Sequence, residues 1–525
     1  MQKRTLLGFL LIALLTVTGT SCRHQMSLSE KVGQLFVVAY SPNYNTQKQI
    51  ERLIRKDHLG GIILMECPMD GYADVWNALQ RNARIPLAIS VDGEWGAAMR
   101  FDTLTPFPKN MQLGALPNDS LVYEVGLGMA KQFRRLGIHI NYAPSVDINN
   151  NPLNPVIGPR SFGDNREKVA TYGAALMRGL RDGGVWTSAK HFPGHGDTET
   201  DSHKSLPQLS FDRRRLDSME LYPFVHLIQE GVPMVMVGHL NVPALDTTGT
   251  PSSLSYPIIH DVLKQQLHFN GLVVTDALEM EGVARFVEQP EEVALRSFMA
   301  GSDILLMPPG DPHRSIKRLC KAVRQGQVNR ERVDESVRKI LAMKAEMGLL
   351  ATRPVLEGAH LFQDVESPQV LDLIQRVCDA SVTQIKPISR PEPLQQLLQQ
   401  GVADTVFIPK NASLQDLEQA RARTQGKALV VVFVPEFKAQ KNNREQLTPI
   451  PPAKIYDFLS HWATEQPLVL AVMDTPYVLN HLDIPAFDGL YVGYSSSDAN
   501  KRAVLKILNQ EKKAQGVLPV QVQLP

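Results

Sequence analysis

The stretch Lys190-His191-Phe192-Pro193-Gly194-His195-Gly196-Asp197-Thr198-Glu199-Thr200-Asp201-Ser202-His203 gathers three histidines, two aspartates and a lysine around a Pro-Gly turn. It follows directly on a strand-like run at 185–189. Pro193, Gly194 and Gly196 exclude a regular helix, because proline removes a donor and glycine is entropically costly in helix interiors. The stretch therefore reads as a strand running into a loop that bears ionisable groups. Loops held on a rigid scaffold are where catalytic residues concentrate.

Working outward, short apolar runs alternate with helix-patterned segments from about residue 27 to 350. Eight runs read as strands: 34–39, 60–65, 86–92, 138–146, 185–191, 233–239, 271–276 and 302–307. Helical spacing fills segments between them, at 118–136, 166–182, 212–229 and 290–300. Eight β-then-α units predict a (β/α)8 barrel of the TIM type, and the same alternation also permits a doubly wound open sheet. The polar residues favour the barrel. Asp92, Asp147, Lys190, His191, His239 and Asp276 all fall at or just past strand C-terminal ends, which in a barrel converge on one mouth. A last barrel helix is expected at 329–347, with Glu331, Arg338, Lys344 and Glu346 solvated around an apolar stripe, and Gly348 and Pro354 marking its end. Strand-like runs at 404–408, 428–434, 467–472 and 489–493 then predict a smaller α/β layered domain. Its loops show no Gly-rich phosphate cradle and no clustered acids, which assigns it a structural or interface role.

A chain of 525 residues holds two or three domains with a large core. A net charge of +1 gives no sign of a nucleic-acid partner, and 6% aromatic residues fit an α/β protein. At the N-terminus, Lys3 and Arg4 precede an apolar run at 6–15 that is too short to span a bilayer comfortably. Small residues at 18–21 then lead to Cys22. The pattern resembles a bacterial lipoprotein signal, with Gly19 where leucine is more usual, and implies removal of 1–21 and lipidation of Cys22. An ordinary secretory signal is the alternative. Cys67, Cys320 and Cys378 have no disulfide or metal spacing and read as buried free thiols.

Asp276, ending the run Gly271-Leu272-Val273-Val274-Thr275-Asp276, is the strongest carboxylate candidate for attack on an anomeric carbon. A carboxylate closing an apolar strand costs burial energy unless it is paired or functional, although a helix cap would also account for it. Asp201 and His203 are two apart, so the carboxylate can orient one imidazole nitrogen while the other protonates a leaving oxygen. On spacing alone, the same run also reads as a polar surface loop. His191, His195, Asp197 and His203 resemble a zinc set only by residue type. The i, i+4 spacing of His191 and His195 aligns ligands in a helix, which Pro193 and Gly194 forbid, so no metal is expected and His195 and Asp197 are assigned to shaping the turn.

The loop, read as Lys-His-Phe-Pro-Gly-His-Gly-Asp-Thr-x-x-Asp-Ser-His, resembles the signature of β-N-acetylglucosaminidases of glycoside hydrolase family 3. Further similar motifs follow in order: Val91-Asp92-x-Glu94, Arg100-Phe101, Ala143-Pro144 to Asp147, Asn154 to Gly163, Gly238-His239 to Ala244, and Val274 to Met280. The resemblance covers roughly 27–350, and the C-terminal region looks like a shortened family second domain. With the signal peptide read at 1–21 from the N-terminal pattern, it implies a catalytic barrel at 22–352 and an α/β domain at 353–525. It further implies Asp276 as nucleophile, His203 supported by Asp201 as acid/base, and Asp92, Arg160, Lys190 and His191 as binders of the terminal sugar, with Arg100 a weaker candidate. Carboxylate and cationic side chains suit sugar hydroxyls as acceptor and donors. Trp95 departs from the family pattern, where many relatives have glycine, and is expected to fill the barrel's top layer or to stack in a subsite.

The expectation is an exo-acting, retaining β-N-acetylglucosaminidase acting on peptidoglycan fragments or related glycans. It would need no cofactor, act as a monomer, and be lipid-anchored in a bacterial envelope facing the periplasm. A β-glucosidase or β-xylosidase, or a catalytically silent glycan-binding protein, are the alternatives.

Overall fold

The computed structural model describes residues 26–42, 45–198, 206–388, 392–436 and 452–523. Eight parallel strands form the first sheet: β1 Phe36–Tyr40, β2 Gly61–Leu64, β3 Ala88–Val91, β4 Ile140–Asn141, β5 Trp186–Phe192, β6 Met234–Val237, β7 Leu272–Thr275 and β8 Leu305–Leu306. Their order is β7-β6-β5-β4-β3-β2-β1-β8. β1 pairs with both β2 and β8, and a parallel bridge between Val274 and Ile304 links β7 towards β8. This order decides between the two architectures, because an open doubly wound sheet would leave edges where this one curls into a nearly closed barrel. The strands are almost wholly buried apolar runs, as expected where helices cover one face and the barrel interior the other.

All eight expected strands are present, with β4 the most shortened. Pro144, which carries no N–H, interrupts the ladder after Asn141, and the chain resumes pairing at the Ser145–Lys190 bridge. The helix expected at 212–229 is two helices, Arg213–Ser218 and Tyr222–Gln229. Pro223 lies in the first turn of the second, where a proline is tolerated, and would clash inside a continuous helix.

Helix Arg330–Glu346 closes the barrel and corrects one expectation. Lys344 is fully buried rather than solvated. Its ammonium donates to Gln34 Oε1 and to the carbonyls of Gly60 and Pro86, each at 2.7 Å, tying the helix to the N-terminal ends of β1, β2 and β3. Burial pushes its pKa down to about 7.

The smaller sheet contains β9 Thr383–Lys386, β10 Ala403–Phe407, β11 Leu429–Pro435, β12 Leu468–Met473 and β13 Gly489–Val492, in the order β10-β11-β12-β13-β9. Only β9 is antiparallel. Period-two alternation splits its faces. Leu429, Val431 and Phe433 join the core that extends through the barrel, whereas Val430, Val432 and Val434 pack with Leu459 and Trp462 of helix Pro452–Glu465. Cys67, Cys320 and Cys378 are buried free thiols. Among the described residues no helix is long and apolar enough to cross a membrane.

Candidate active site

The strand ends at the barrel mouth place the sequence-selected residues together in two layers. The deeper layer is ionic. Lys190, at the end of β5, is 2% exposed and donates to Asp92 Oδ1 at 2.8 Å. The same ammonium lies 2.8 Å from Glu94 Oε1, and Glu94 is likewise 2% exposed. Arg160 donates to Glu94 through Nη2 at 2.7 Å and through Nε at 3.0 Å. Burial alone would raise the Glu94 carboxyl, but the charges of Arg160 and Lys190 outweigh it and hold the group far below the usual carboxylate range. Asp92 and Arg160 are the more open members of this cluster, 24% and 22% exposed, and so present polar groups to the mouth.

Arg100 takes hold of Asp92. Its Nε donates to the Asp92 carbonyl at 3.1 Å and its Nη2 to Asp92 Oδ2 at 3.4 Å.

A second carboxylate orders the loop that follows β5. Asp147 Oδ1 accepts the backbone N–H groups of His191 and His195 at 3.2 and 2.7 Å. Its Oδ2 accepts from Ser145 Oγ at 2.9 Å and meets His191 Nδ1 at 2.7 Å. Arg160 Nη2 lies 3.2 Å from His191 Nε2. A guanidinium only donates, so Nε2 is the acceptor and the ring proton sits on Nδ1, pointing at Asp147. Burial works to raise the Asp147 carboxyl, and the His191 and His195 contacts reverse that and hold it well below its ordinary value.

The loop packs tightly where it turns. A Cβ on Gly196 would come within 1.8 Å of the Ile148 carbonyl oxygen, so only glycine fits there. His195 is buried, with Nδ1 2.8 Å from Thr198 Oγ1, and Asp197 pairs with Arg215 at 3.6 Å. The His195 contact lies within the turn, as expected of it, whereas Asp197 reaches out of the turn to helix Arg213–Ser218. Among the described residues no group of three or more His, Cys, Asp or Glu side chains is arranged to hold a metal ion.

Asp276 stands directly after β7, its backbone N–H bonded to the Val237 carbonyl at 2.9 Å. The Ala277 N–H donates to Oδ1 at 2.8 Å, and among the described residues Oδ2 has no hydrogen-bond partner. Burial pushes this carboxyl up, but the imidazoles of His191 and His239, the Ala277 N–H and the Lys190 ammonium together bring it below the ordinary value. It is therefore a carboxylate with one uncommitted oxygen at the mouth. His239 steadies it from the side, with Nε2 donating to the Ala277 carbonyl at 2.9 Å and Nδ1 2.7 Å from Ser253 Oγ.

Asp201 and His203 lie outside the described residues, as does Cys22. Three residues emerge from the structure that sequence reasoning left without a role: Glu94, Asp147 and His239. All three stand near strand C-terminal ends, and that position was the available signal. What it lacked was the partner each one holds.

Trp95 packs under Lys109, whose ammonium lies 5.3 Å from the indole centroid, at the junction with the second sheet.

Residues 27–343 match the Glycosyl hydrolase family 3 N terminal domain. The chain is 35% identical over 331 residues to beta-hexosaminidase A of Pseudoalteromonas piscicida, a match spanning 57% of this chain and 55% of that protein. It is 31% identical over 400 residues to a beta-N-acetylglucosaminidase/beta-glucosidase of Cellulomonas fimi, covering 72% and 69% of the two chains. The solved family 3 beta-N-acetylglucosaminidase from Paenibacillus sp. str. FPU-7 superposes with a TM-score of 0.82 at 29% identity, over 95% of this chain and 99% of that one. With its barrel, its mouth and its matched span in agreement, the chain belongs to glycoside hydrolase family 3.

Proposed function

We propose that this protein is an exo-acting, retaining β-N-acetylglucosaminidase that removes terminal β-linked N-acetylglucosamine from peptidoglycan fragments or related glycans. The observation that carries the reading is Asp276, a carboxylate whose Oδ2 has no hydrogen-bond partner among the described residues, beside the Asp92–Lys190–Glu94–Arg160 cluster. Asp92 and Arg160 bind hydroxyls of the terminal sugar, with Lys190 and His191 holding them in place. Asp276 Oδ2 attacks the anomeric carbon and forms a covalent glycosyl ester as the glycosidic bond breaks. His203, oriented by Asp201, gives its proton to the leaving oxygen, then takes one from water as that water attacks and frees Asp276. The depressed Asp276 carboxyl supports this role, since a nucleophile must be ionised at working pH.

The names of the relatives support N-acetylglucosamine as the terminal sugar. The Cellulomonas fimi relative carries both activities in its name, so a β-glucosidase is the second reading. Nitrophenyl β-N-acetylglucosaminide and β-glucoside, offered separately to the wild-type chain, distinguish the two. Nitrophenol release from the first alone supports the proposal, and release from the glucoside alone overturns its specificity.

The N-terminal pattern supports lipidation of Cys22 and an envelope location facing the periplasm. Radiolabelled palmitate should enter the wild-type protein and not Cys22→Ser. Labelling of both would contradict the anchor.

A further inference from the structure

A cavity of about 270 Å³ lies where the barrel meets the second sheet. One wall belongs to the barrel and includes Trp95, Phe107 and Lys109. The other is built by residues just past the ends of three parallel strands: Glu436 after β11, Asp474 after β12 and Tyr494 after β13. The crevice outside strand carboxyl ends is where open α/β sheets take their ligands. Tyr494 holds a φ of +64°, a left-handed conformation rare for a bulky residue and one that clusters at ligand sites.

Among the described residues the charges in this cavity do not balance. Lys109 lies over the Trp95 ring, a cation–π arrangement. Asp474 Oδ1 accepts the Thr475 N–H at 2.6 Å, and among the described residues neither Asp474 nor Glu436 has a cation within ion-pair distance. Burial pushes Asp474 up to about 6; the Thr475 N–H and Lys109 oppose the rise, and Glu436 adds to it. The acids are far apart in sequence, so the loops of this domain look empty until the strands bring their ends together.

We propose that this cavity is a binding site for a small amphipathic amine, its ammonium held between Asp474 and Glu436 and its apolar body against Trp95 and Phe107. A hard divalent cation takes six or more oxygen ligands, and among the described residues no group of three or more His, Cys, Asp or Glu side chains is arranged to hold one. Among the described residues, an anion would face two carboxylates against one ammonium. The inference is independent of the glycosidase reading.

Calorimetric titration of the full chain tests it, with phenethylamine as probe and 2-phenylethanol and phenylacetate as neutral and anionic counterparts of the same size. Phenethylamine should bind one saturable site, and Asp474→Asn and Glu436→Gln should each weaken it about tenfold, the worth of one charge-assisted hydrogen bond. Unchanged thermal unfolding midpoints would show that both variants fold. Binding of the alcohol as tightly as the amine, unchanged amine affinity in both variants, or no saturable binding would overturn the proposal. So would saturable Ca²⁺ binding that is lost in Asp474→Asn.

Discussion

Lys190 and Glu94 face each other at 2.8 Å, each 2% exposed, and between them they fix Asp92 and Arg160 at the rim of the barrel mouth. Removing one partner of a buried ion pair leaves an uncompensated charge, at a cost of about 3–5 kcal/mol. Glu94→Gln should therefore lower stability by that order in denaturant unfolding. It should also raise KM more than it lowers kcat, because Arg160 loses the group that aims it. A variant as stable as wild type with unchanged KM would contradict this placement.

Asp147 acts through His191. Asp147→Asn keeps the size and turns one acceptor into a donor, facing the Nδ1–H of His191. The imidazole must then change tautomer or move, which disturbs Arg160 at its other nitrogen. Turnover should fall by about 10²-fold, the order that a 1 Å misplacement costs, with near-native thermal stability. Full activity in a folded Asp147→Asn would remove the carboxylate from the positioning network.

Lys344 carries the closure of the barrel's other end. In Lys344→Met, Gln34 Oε1 and the Pro86 carbonyl lose their donor, while the Gly60 carbonyl keeps the Ala88 N–H at 3.1 Å. Each unsatisfied group costs about 1–3 kcal/mol, so destabilisation of at least ~2 kcal/mol is expected. Steady-state constants measured well below the unfolding transition should be unchanged, since this end lies opposite the mouth.

Acid should unfold the protein from higher pH than carboxylates alone would allow. His139 and His195 are buried, and burial pushes their pKa values down to about 3 and about 4. In the unfolded chain both titrate near 6.5, so between that pH and about 4 the unfolded state binds more protons. The contribution of these two histidines is full above pH ~6.5 and falls as pH drops through this window, with a slope of up to roughly 2–3 kcal/mol per pH unit for two protons. His139 Nδ1 accepts the Ile89 N–H at 3.0 Å, and Gln at 139 offers an equivalent oxygen. His139→Gln should halve the slope; an unchanged slope would show that His139 titrates normally in the fold.

The barrel was legible in the sequence because its strands are uninterrupted buried runs and its polar residues fall at one end of them. Asp92, Arg160, Lys190 and His191 were picked out through motifs and do stand together. β9 was not legible: Thr383–Lys386 is a short edge strand with one buried residue, which gives no two-faced pattern. Lys344 was misplaced because helical spacing reports the face a residue occupies and not the carbonyls awaiting it at the helix end. Glu94 and Asp147 illustrate the same limit. Their roles depend on partners tens of residues away, which only the closed sheet brings within hydrogen-bonding distance.

The central claim is covalent catalysis by Asp276, and trapping the intermediate tests it most directly. A 5-fluoro-N-acetylglucosaminyl fluoride slows both steps, and deglycosylation more, so the ester accumulates. After incubation and proteolysis, mass spectrometry should find the added sugar on Asp276, with no label in Asp276→Ala. A label on another residue, or turnover of the reagent by Asp276→Ala at the wild-type rate, would contradict the account.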